Sequence, residues 1–312
     1  MRFGLALPQY GFSLADGAPV GFEAAANWAR RAEEMGFDSV WLSDHFLYSF
    51  ARYGADPTPL SALEPMTTLA GIAAVTSRVR LGTLVLCAAF RHPAILAKMA
   101  ATIDAISQGR LDLGMGAGWL REEFDAFGFE FPGVGERFRA LEETLAALSV
   151  PPNQGSVPIW VGGKGGPRLL SLAARYAAGW NTVWRVEPGA YAERVDAARQ
   201  ACLSADRDPA TFRFSIGLYT VVGEDEDAAR EAFERGKASF PGGAMDEETW
   251  DSWRADTLSG SPSQAMERVR EFEAIGVEEI VISPGVLPFS IHSPELVEVV
   301  AEQVIGPLRE IA

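Results

Sequence analysis

The sequence predicts one α/β domain over residues 1–312, a (β/α)₈ barrel. Three observations carry that expectation. Short apolar runs alternate with longer amphipathic stretches, the rhythm of parallel strands joined by helices. The rhythm repeats eight times along the chain, the number that closes a barrel. No linker rich in Pro, Gly or Ser, no repeat and no low-complexity segment divides it. A doubly wound open sheet is the alternative, but such sheets usually have fewer strands.

The elements follow in order. Residues 3–7 form the first strand, and Pro8 stops it. A helix over 22–35 ends at Gly36, a residue suited to the left-handed turn after a helix. The second strand is 39–42, followed by a loop from 43 to about 65, then a helix over 66–76. The third strand is 79–86; Pro93 opens the next helix, over 93–106, and Gly109 closes it. The fourth strand is 111–115, and helical pattern returns over 137–148. The second half places strands at 157–161, 179–183, 212–222 and 279–283. Its helices are 167–176, 191–203, 226–240, 245–254, 262–275 and 294–311.

Composition limits the partners. Hydrophobic residues make up 48% and charged residues 22%, the balance of a folded globular chain rather than a disordered one. Asp and Glu number 42 against 27 Lys and Arg, a formal charge of −15. Such a chain is poorly suited to nucleic acid or to an anionic membrane. Cys87 and Cys202 sit in no CxxC pair or His cluster, so neither a disulfide framework nor a metal site is expected. No apolar run reaches the roughly 18 residues of a spanning helix. The N-terminus lacks the pattern of a signal peptide, so a cytoplasmic location is the expectation.

In such barrels the chemistry gathers at the C-terminal ends of the strands. After strand one, Gln9, Tyr10 and Phe12 stand at the mouth, as ligand contacts or as a packed plug. After strand two comes Asp44-His45, where a carboxylate beside an imidazole can orient a proton carrier. A helix cap at Asp44 with a packed His45 is the competing reading. The loop that follows is long enough to suggest function. After strand three, Cys87-Ala88-Ala89-Phe90 leaves room for a flat ligand, and Arg91-His92 read as a helix cap. After strand four, Gly114, Gly116 and Gly118 alternate, letting a ligand approach the backbone; Ala117 and Trp119 follow, and Glu122 and Glu123 suit a helix start. After strand five, Gly162, Gly163, Lys164, Gly165, Gly166 and Arg168 open a helix, the physics of a phosphate cradle. It is not a Walker loop, because no GK[ST] is present, and a flexible turn is the competing reading. After strand six, Trp180 and Asn181 either complete the cradle or pack.

These pieces together resemble the bacterial luciferase-like monooxygenase superfamily, along nearly the whole chain. The resemblance rests on residues 32–45, 78–83, 91–93, 109–114, Gly116-Ala117-Gly118-Trp119 with Glu123-Phe124, and 161–163. Within that superfamily the chain is most similar to the branch that uses the deazaflavin coenzyme F420; the FMN branches share most of these motifs. The resemblance implies an isoalloxazine-type ring in the barrel mouth, backed by strands two to four. It implies a non-proline cis peptide near Leu84-Val85, an Asp44-His45 pair and the cofactor phosphate at 162–166. It also implies a homodimer. The chain departs from the sugar-phosphate dehydrogenase relatives, which carry Glu where Trp119 stands, so their acid–base scheme and substrate do not transfer. The excursion before strand five, roughly 25 residues in the family and of a length suited to a lid, is short here, at 148–157.

The function expected is hydride transfer between F420 and a small organic substrate. His45, steered by Asp44, moves the proton. An FMN-dependent monooxygenase using O₂ and a partner flavin reductase is one alternative. A flavin- or deazaflavin-binding protein without catalysis is another, since fold does not fix function. A metal-dependent hydrolase is weak, because only Asp44-His45 has the right residue types. Tyr10, Phe12, Phe46, Tyr48, Phe50, Phe90 and Trp119 predict an aromatic mouth and an apolar substrate rather than a sugar phosphate, unless several of them only pack the loop.

Overall fold

Eight parallel strands close on themselves in chain order in the computed structural model, which describes residues 1–149 and 157–311. They are β1 (Arg2–Ala6), β2 (Ser39–Leu42), β3 (Arg80–Thr83), β4 (Leu111–Gly116), β5 (Ile159–Gly162), β6 (Gly179–Trp184), β7 (Arg213–Val222) and β8 (Glu279–Pro284). Closure comes from β1 and β8, with Phe3 beside Ile280 and Leu5 beside Ile282. It removes the sheet edges that would otherwise leave backbone groups unpaired. Every residue of β2, β4 and β8 is buried, as strands covered on both faces require.

The helices form the outer layer: α1 (Phe22–Glu34), α2 (Pro65–Val75), α3 (Pro93–Ser107), α4 (Arg121–Phe127), α5 (Val134–Leu148), α6 (Pro167–Tyr176), α7 (Pro188–Ser204), α8 (Glu226–Ala238), α9 (Trp250–Ala255), α10 (Pro262–Ile275), α11 (Pro294–Val300) and α12 (Gly306–Ile311). Six begin on proline, which loses no hydrogen bond at that position. One apolar cluster fills the space between strands and helices, including Leu81, Val161, Leu172 and Val269. A second, aromatic cluster sits at the mouth and joins Tyr10, Tyr48, Phe50, Phe233, Trp250 and Phe289. Trp41, Ser39 and Glu279 fill the lower barrel: the indole N–H donates to Ser39 Oγ at 2.7 Å, and Ser39 donates to Glu279.

Several expected boundaries shift. The third strand stops at Thr83; a cis bond joins Leu84 and Val85, and the chain rejoins the sheet at Leu86–Cys87, beside Met115 and Gly116. A second non-proline cis bond joins Val183 and Trp184. The helix expected over 245–254 is only α9, because Thr249 caps Ser252 N and starts it late. The C-terminal helix is interrupted by a π-helical stretch at Ala301–Ile305. The loop after β2 is ordered by a short antiparallel pair, Leu47–Tyr48 with Leu60–Ser61. Of the short excursion before β5, residues 150–156 lie outside the described residues. Among the described residues no helix is long and apolar enough to cross a membrane.

Candidate active site

The C-terminal ends of the strands enclose a cavity of about 910 Å³. Its walls come from the segments after β1, β2 and β3, from the ends of β4, β5 and β6, from Tyr219 on β7 and from Pro288 and Phe289 after β8. That is where function is expected on this fold.

His45 lies in its wall, and its partner is not Asp44. His45 Nδ1 is 2.8 Å from Glu123 Oε2. Glu123 is only 2% exposed. Its other oxygen accepts the N–H groups of Phe46 (2.7 Å) and Leu47 (3.3 Å). With both oxygens accepting, the Nδ1 side carries the hydrogen, and Nε2 is left to exchange a proton. Among the described residues nothing bonds Nε2. The geometry corrects the expectation that Asp44 steers His45: past the end of β2, the Asp44 carboxylate is taken up by Arg91 and the His45 ring by Glu123.

Asp44 faces Arg91 instead. Its carboxylate accepts both guanidinium nitrogens, at 2.6 and 2.7 Å, and the Cys87 N–H at 2.8 Å. Arg91 also pairs with Glu64. Burial pushes Asp44 upward, against the pull of Arg91. The Asp44–Arg91 bridge ties the β2 loop to the turn before α3, so Arg91 is an anchor and not a cap. His92 does cap α3, accepting from Ala94 N. Burial also pushes the Cys87 thiol up to about 12, which leaves it inert at neutral pH.

The floor is Val85, and it revises the role of the glycines. A Cβ on Gly116 would meet Val85 Cγ2 at 2.6 Å, and one on Gly162 would meet Cγ1 at 2.5 Å. A Cβ on Gly114 would crowd Val85 as well. Two strands, β4 and β5, therefore omit side chains at three positions so that Val85 can fill the barrel top. Leu84, Val85, Gly116, Ala117 and Gly162 all line the cavity.

The cradle after β5 lies on the same wall. Gly163, Lys164, Gly166 and Arg168 line the cavity. No side chain caps the start of α6, so its first N–H groups remain available to an anion. Gly165 takes φ +76° and is not on the wall; its backbone leans on Trp180. Trp180 is 0% exposed and stacks on Tyr191 with centroids 5.3 Å apart. Its indole N–H donates to Gly163 O at 2.9 Å. It buttresses the cradle from behind, a correction to its placement among the binding residues. Asn181 reaches the wall, held by a bond from its Nδ2 to Ser215 Oγ of 2.6 Å.

Of the expected aromatic contacts, Tyr10, Phe90 and Trp119 line the cavity, whereas Phe12 and Phe46 do not. Phe12 stacks behind Tyr10 (4.8 Å) and Phe46 on Phe90 (4.8 Å), because flat rings pack against one another more readily than they stay wet. Tyr10 OH lies 2.5 Å from Ser43 Oγ, and burial holds it protonated. Trp119 is 50% exposed, with its ring 5.7 Å from that of His45.

Sequence reasoning missed Glu123 as a partner of His45, and missed Arg52, Tyr53, Trp184 and Tyr219 on the wall. For Glu123 a signal existed: an acid in the first turn of a helix just past a strand end. For the others none did, since they arrive from loops or from strand positions that pattern does not distinguish from core. Among the described residues no group of three or more His, Cys, Asp and Glu is placed to hold a metal ion.

Comparison with known proteins adds to this geometry. The family model for luciferase-like monooxygenases matches residues 1–279. The phthiodiolone/phenolphthiodiolone dimycocerosates ketoreductase of Mycobacterium kansasii is 28% identical, over 85% of this chain and 91% of its own. The F420-dependent glucose-6-phosphate dehydrogenase of Amycolatopsis mediterranei is 39% identical over a shorter stretch, 41% of this chain and 40% of its own. The solved structure of an F420-dependent secondary alcohol dehydrogenase, in complex with an F420-acetone adduct, superposes with a TM-score of 0.77. It shares 19% identity and covers 97% of this chain and 98% of its own.

Proposed function

The chain belongs to the luciferase-like monooxygenase family, and from that premise we propose that it is an oxidoreductase that holds coenzyme F420 in the barrel mouth and passes hydride to or from a small organic substrate with a largely apolar body. One observation carries the reading. The His45–Glu123 pair, the Val85 floor and the glycine cradle, built from four separate strand ends, face one cavity of about 910 Å³. Similarity to relatives named as F420-dependent, and to one named as a ketoreductase, supports F420 and carbonyl chemistry.

The residues present fit such a cofactor. The uncapped start of α6 offers N–H donors to a phosphate. Lys164 and Arg168 stand beside it, and among the described residues neither has a carboxylate partner. Leu84, Val85 and Ala117 supply the apolar surface that a flat ring needs. Bound there, a deazaflavin supplies two-electron hydride chemistry at C5, while the protein supplies orientation and electrostatics.

The chain's own part is proton management. Glu123 fixes the ring of His45 and its tautomer. His45 Nε2 takes a proton from a substrate hydroxyl during oxidation and returns one to the nascent alkoxide during reduction. The Trp119 ring lies against that of His45, with centroids 5.7 Å apart. FMN would use the same cradle and floor, with O₂ as the oxidant and a reductase to supply electrons, so it is the competing cofactor.

The test is His45→Ala. It should bind F420 within about threefold of native and lose about 10²–10⁴ of turnover on a panel of ketones and secondary alcohols. Native turnover in that variant removes His45 from the mechanism. Tight F420 binding by the native protein, with no hydride exchange to any substrate, favours a binding protein without catalysis.

A further inference from the structure

Among the described residues that line the cavity, Arg52 is a cation that neither the cradle nor the proton pair uses. Arg52 sits on a short helical turn, Ala51–Tyr53, in the loop after β2. Its guanidinium carbon lies 4.5 Å from the ring centre of Tyr53, 4.8 Å from that of Trp119 and 5.8 Å from that of Tyr48. It donates one hydrogen bond, to the Tyr53 hydroxyl. Guanidinium has five N–H donors, and among the described residues nothing takes the others.

Arg168 is set aside for the cradle, and two other arginines near the mouth are paired with acids. Arg91 is claimed by Asp44 and Glu64. Arg185 is claimed by Glu248 and Asp256. The carboxylates that line the cavity, Asp44 and Glu123, are committed to Arg91 and to backbone and His45. The groups that act on the charge of Arg52 are the phenols of Tyr48, Tyr53 and Tyr219, and burial holds Tyr48 and Tyr219 protonated. A chain of charge −15 thus leaves an arginine at its cavity without a carboxylate partner. The rings hold its flat face, which orients its N–H edge without saturating it.

Position narrows the ligand. The Trp119 indole touches both Arg52 (4.8 Å) and His45 (5.7 Å between rings), so the two lie one indole apart. We propose that Arg52 is the specificity-determining residue of this site, and that it takes a carboxylate on a substrate whose apolar or aromatic body lies along Trp119, between Arg52 and His45. The proposal rests on the function above, which makes His45 the reacting end. It keeps the apolar body and adds one anionic end. An oxyanion has two sources here, the substrate or the cofactor's own acidic groups, and the test separates them.

The probes are 3-phenylpropionate and 3-phenylpropionamide, alike in body and different in charge. They are titrated calorimetrically into protein saturated with F420, and again into cofactor-free protein. The native holo protein should bind the carboxylate at least tenfold tighter than the amide. Arg52→Gln should bring the two within about twofold without weakening the amide, and Arg52→Lys should keep part of the preference. F420 affinity should stay within threefold throughout. Added salt should weaken carboxylate binding by the native protein and leave the amide unchanged, which tests the same point if a variant folds poorly. Equal binding of the two probes by the native protein overturns the proposal. So does an Arg52→Gln variant that loses F420 affinity but keeps the carboxylate preference, since the oxyanion is then the cofactor's. Protein that binds neither F420 nor FMN yet prefers the carboxylate refutes the cofactor reading and leaves Arg52 standing.

Discussion

Glu123→Gln isolates the role of the His45 partner with little change of shape. The side chain keeps its volume, and its amide oxygen still accepts from Phe46 N and Leu47 N. Only the 2.8 Å contact with His45 changes. An amide N–H₂ now faces Nδ1, so Nδ1 must accept, and the ring hydrogen moves to Nε2. A nitrogen that carries the hydrogen cannot take a proton from substrate. Loss of a charge-assisted bond alone is worth about 1.5–3 kcal/mol, or roughly 10–150-fold. The wrong tautomer raises the expected loss of turnover to about 10²–10⁴. The assay is single-turnover reduction or oxidation of bound cofactor, with cofactor and substrate affinity measured separately. Binding within threefold of native is expected. An enzyme with turnover within threefold of native, cofactor bound and fold intact, refutes the pairing.

Three more predictions follow from the geometry. Arg91→Met strips Asp44 of its bidentate partner and leaves a buried charge alone, so denaturant unfolding should show a loss of about 3–5 kcal/mol; a loss under about 1 kcal/mol contradicts the anchor role. Gly116→Ala drives a Cβ to 2.6 Å from Val85 and should cost about 1–3 kcal/mol by overpacking; adding Val85→Ala should recover part of it, and strict additivity of the two changes speaks against their contact. For Glu33, burial pushes the carboxyl up, but the N–H groups of Val79 (2.9 Å), Arg78 (2.5 Å) and Ser77 (3.0 Å) outweigh it and hold it below its ordinary value. A lowered folded value means stability that is present above the unfolded value, about 4, and lost as pH falls through the folded one. Glu33→Gln should therefore lower the melting temperature at pH 7, and its gap to native should close on acidification; a gap that stays constant refutes the capping role.

The order of the barrel was legible because closure of eight strands leaves an unmistakable rhythm of apolar runs and proline-led helices. The interruption of the third strand was not legible from apolar pattern, since 79–86 reads as unbroken. Its signal lay in the glycines at 114, 116 and 162, whose joint purpose, room for Val85, appears only when three strands are side by side. The place of the glycine-rich turn on the cavity wall was legible from local chemistry, as glycines and cations opening a helix. Trp180 was not, because an aromatic at a strand end reads alike whether it faces a cavity or supports a loop from beneath. The partner of His45 was misplaced because its neighbour Asp44 is already committed to Arg91 and the Cys87 N–H, so the orienting acid comes from another element, 78 residues along the chain.

The central claim, a cavity built for a deazaflavin beside a fixed proton carrier, is tested most directly by paired titrations of the protein with F420 and with FMN, followed by fluorescence. The account predicts micromolar or tighter binding of F420, tighter than that of FMN, and weakened when Lys164 and Arg168 are both changed to Ala. Preferential binding of FMN would contradict the cofactor assigned and point to chemistry with O₂. Binding of neither would contradict the account of the cavity itself.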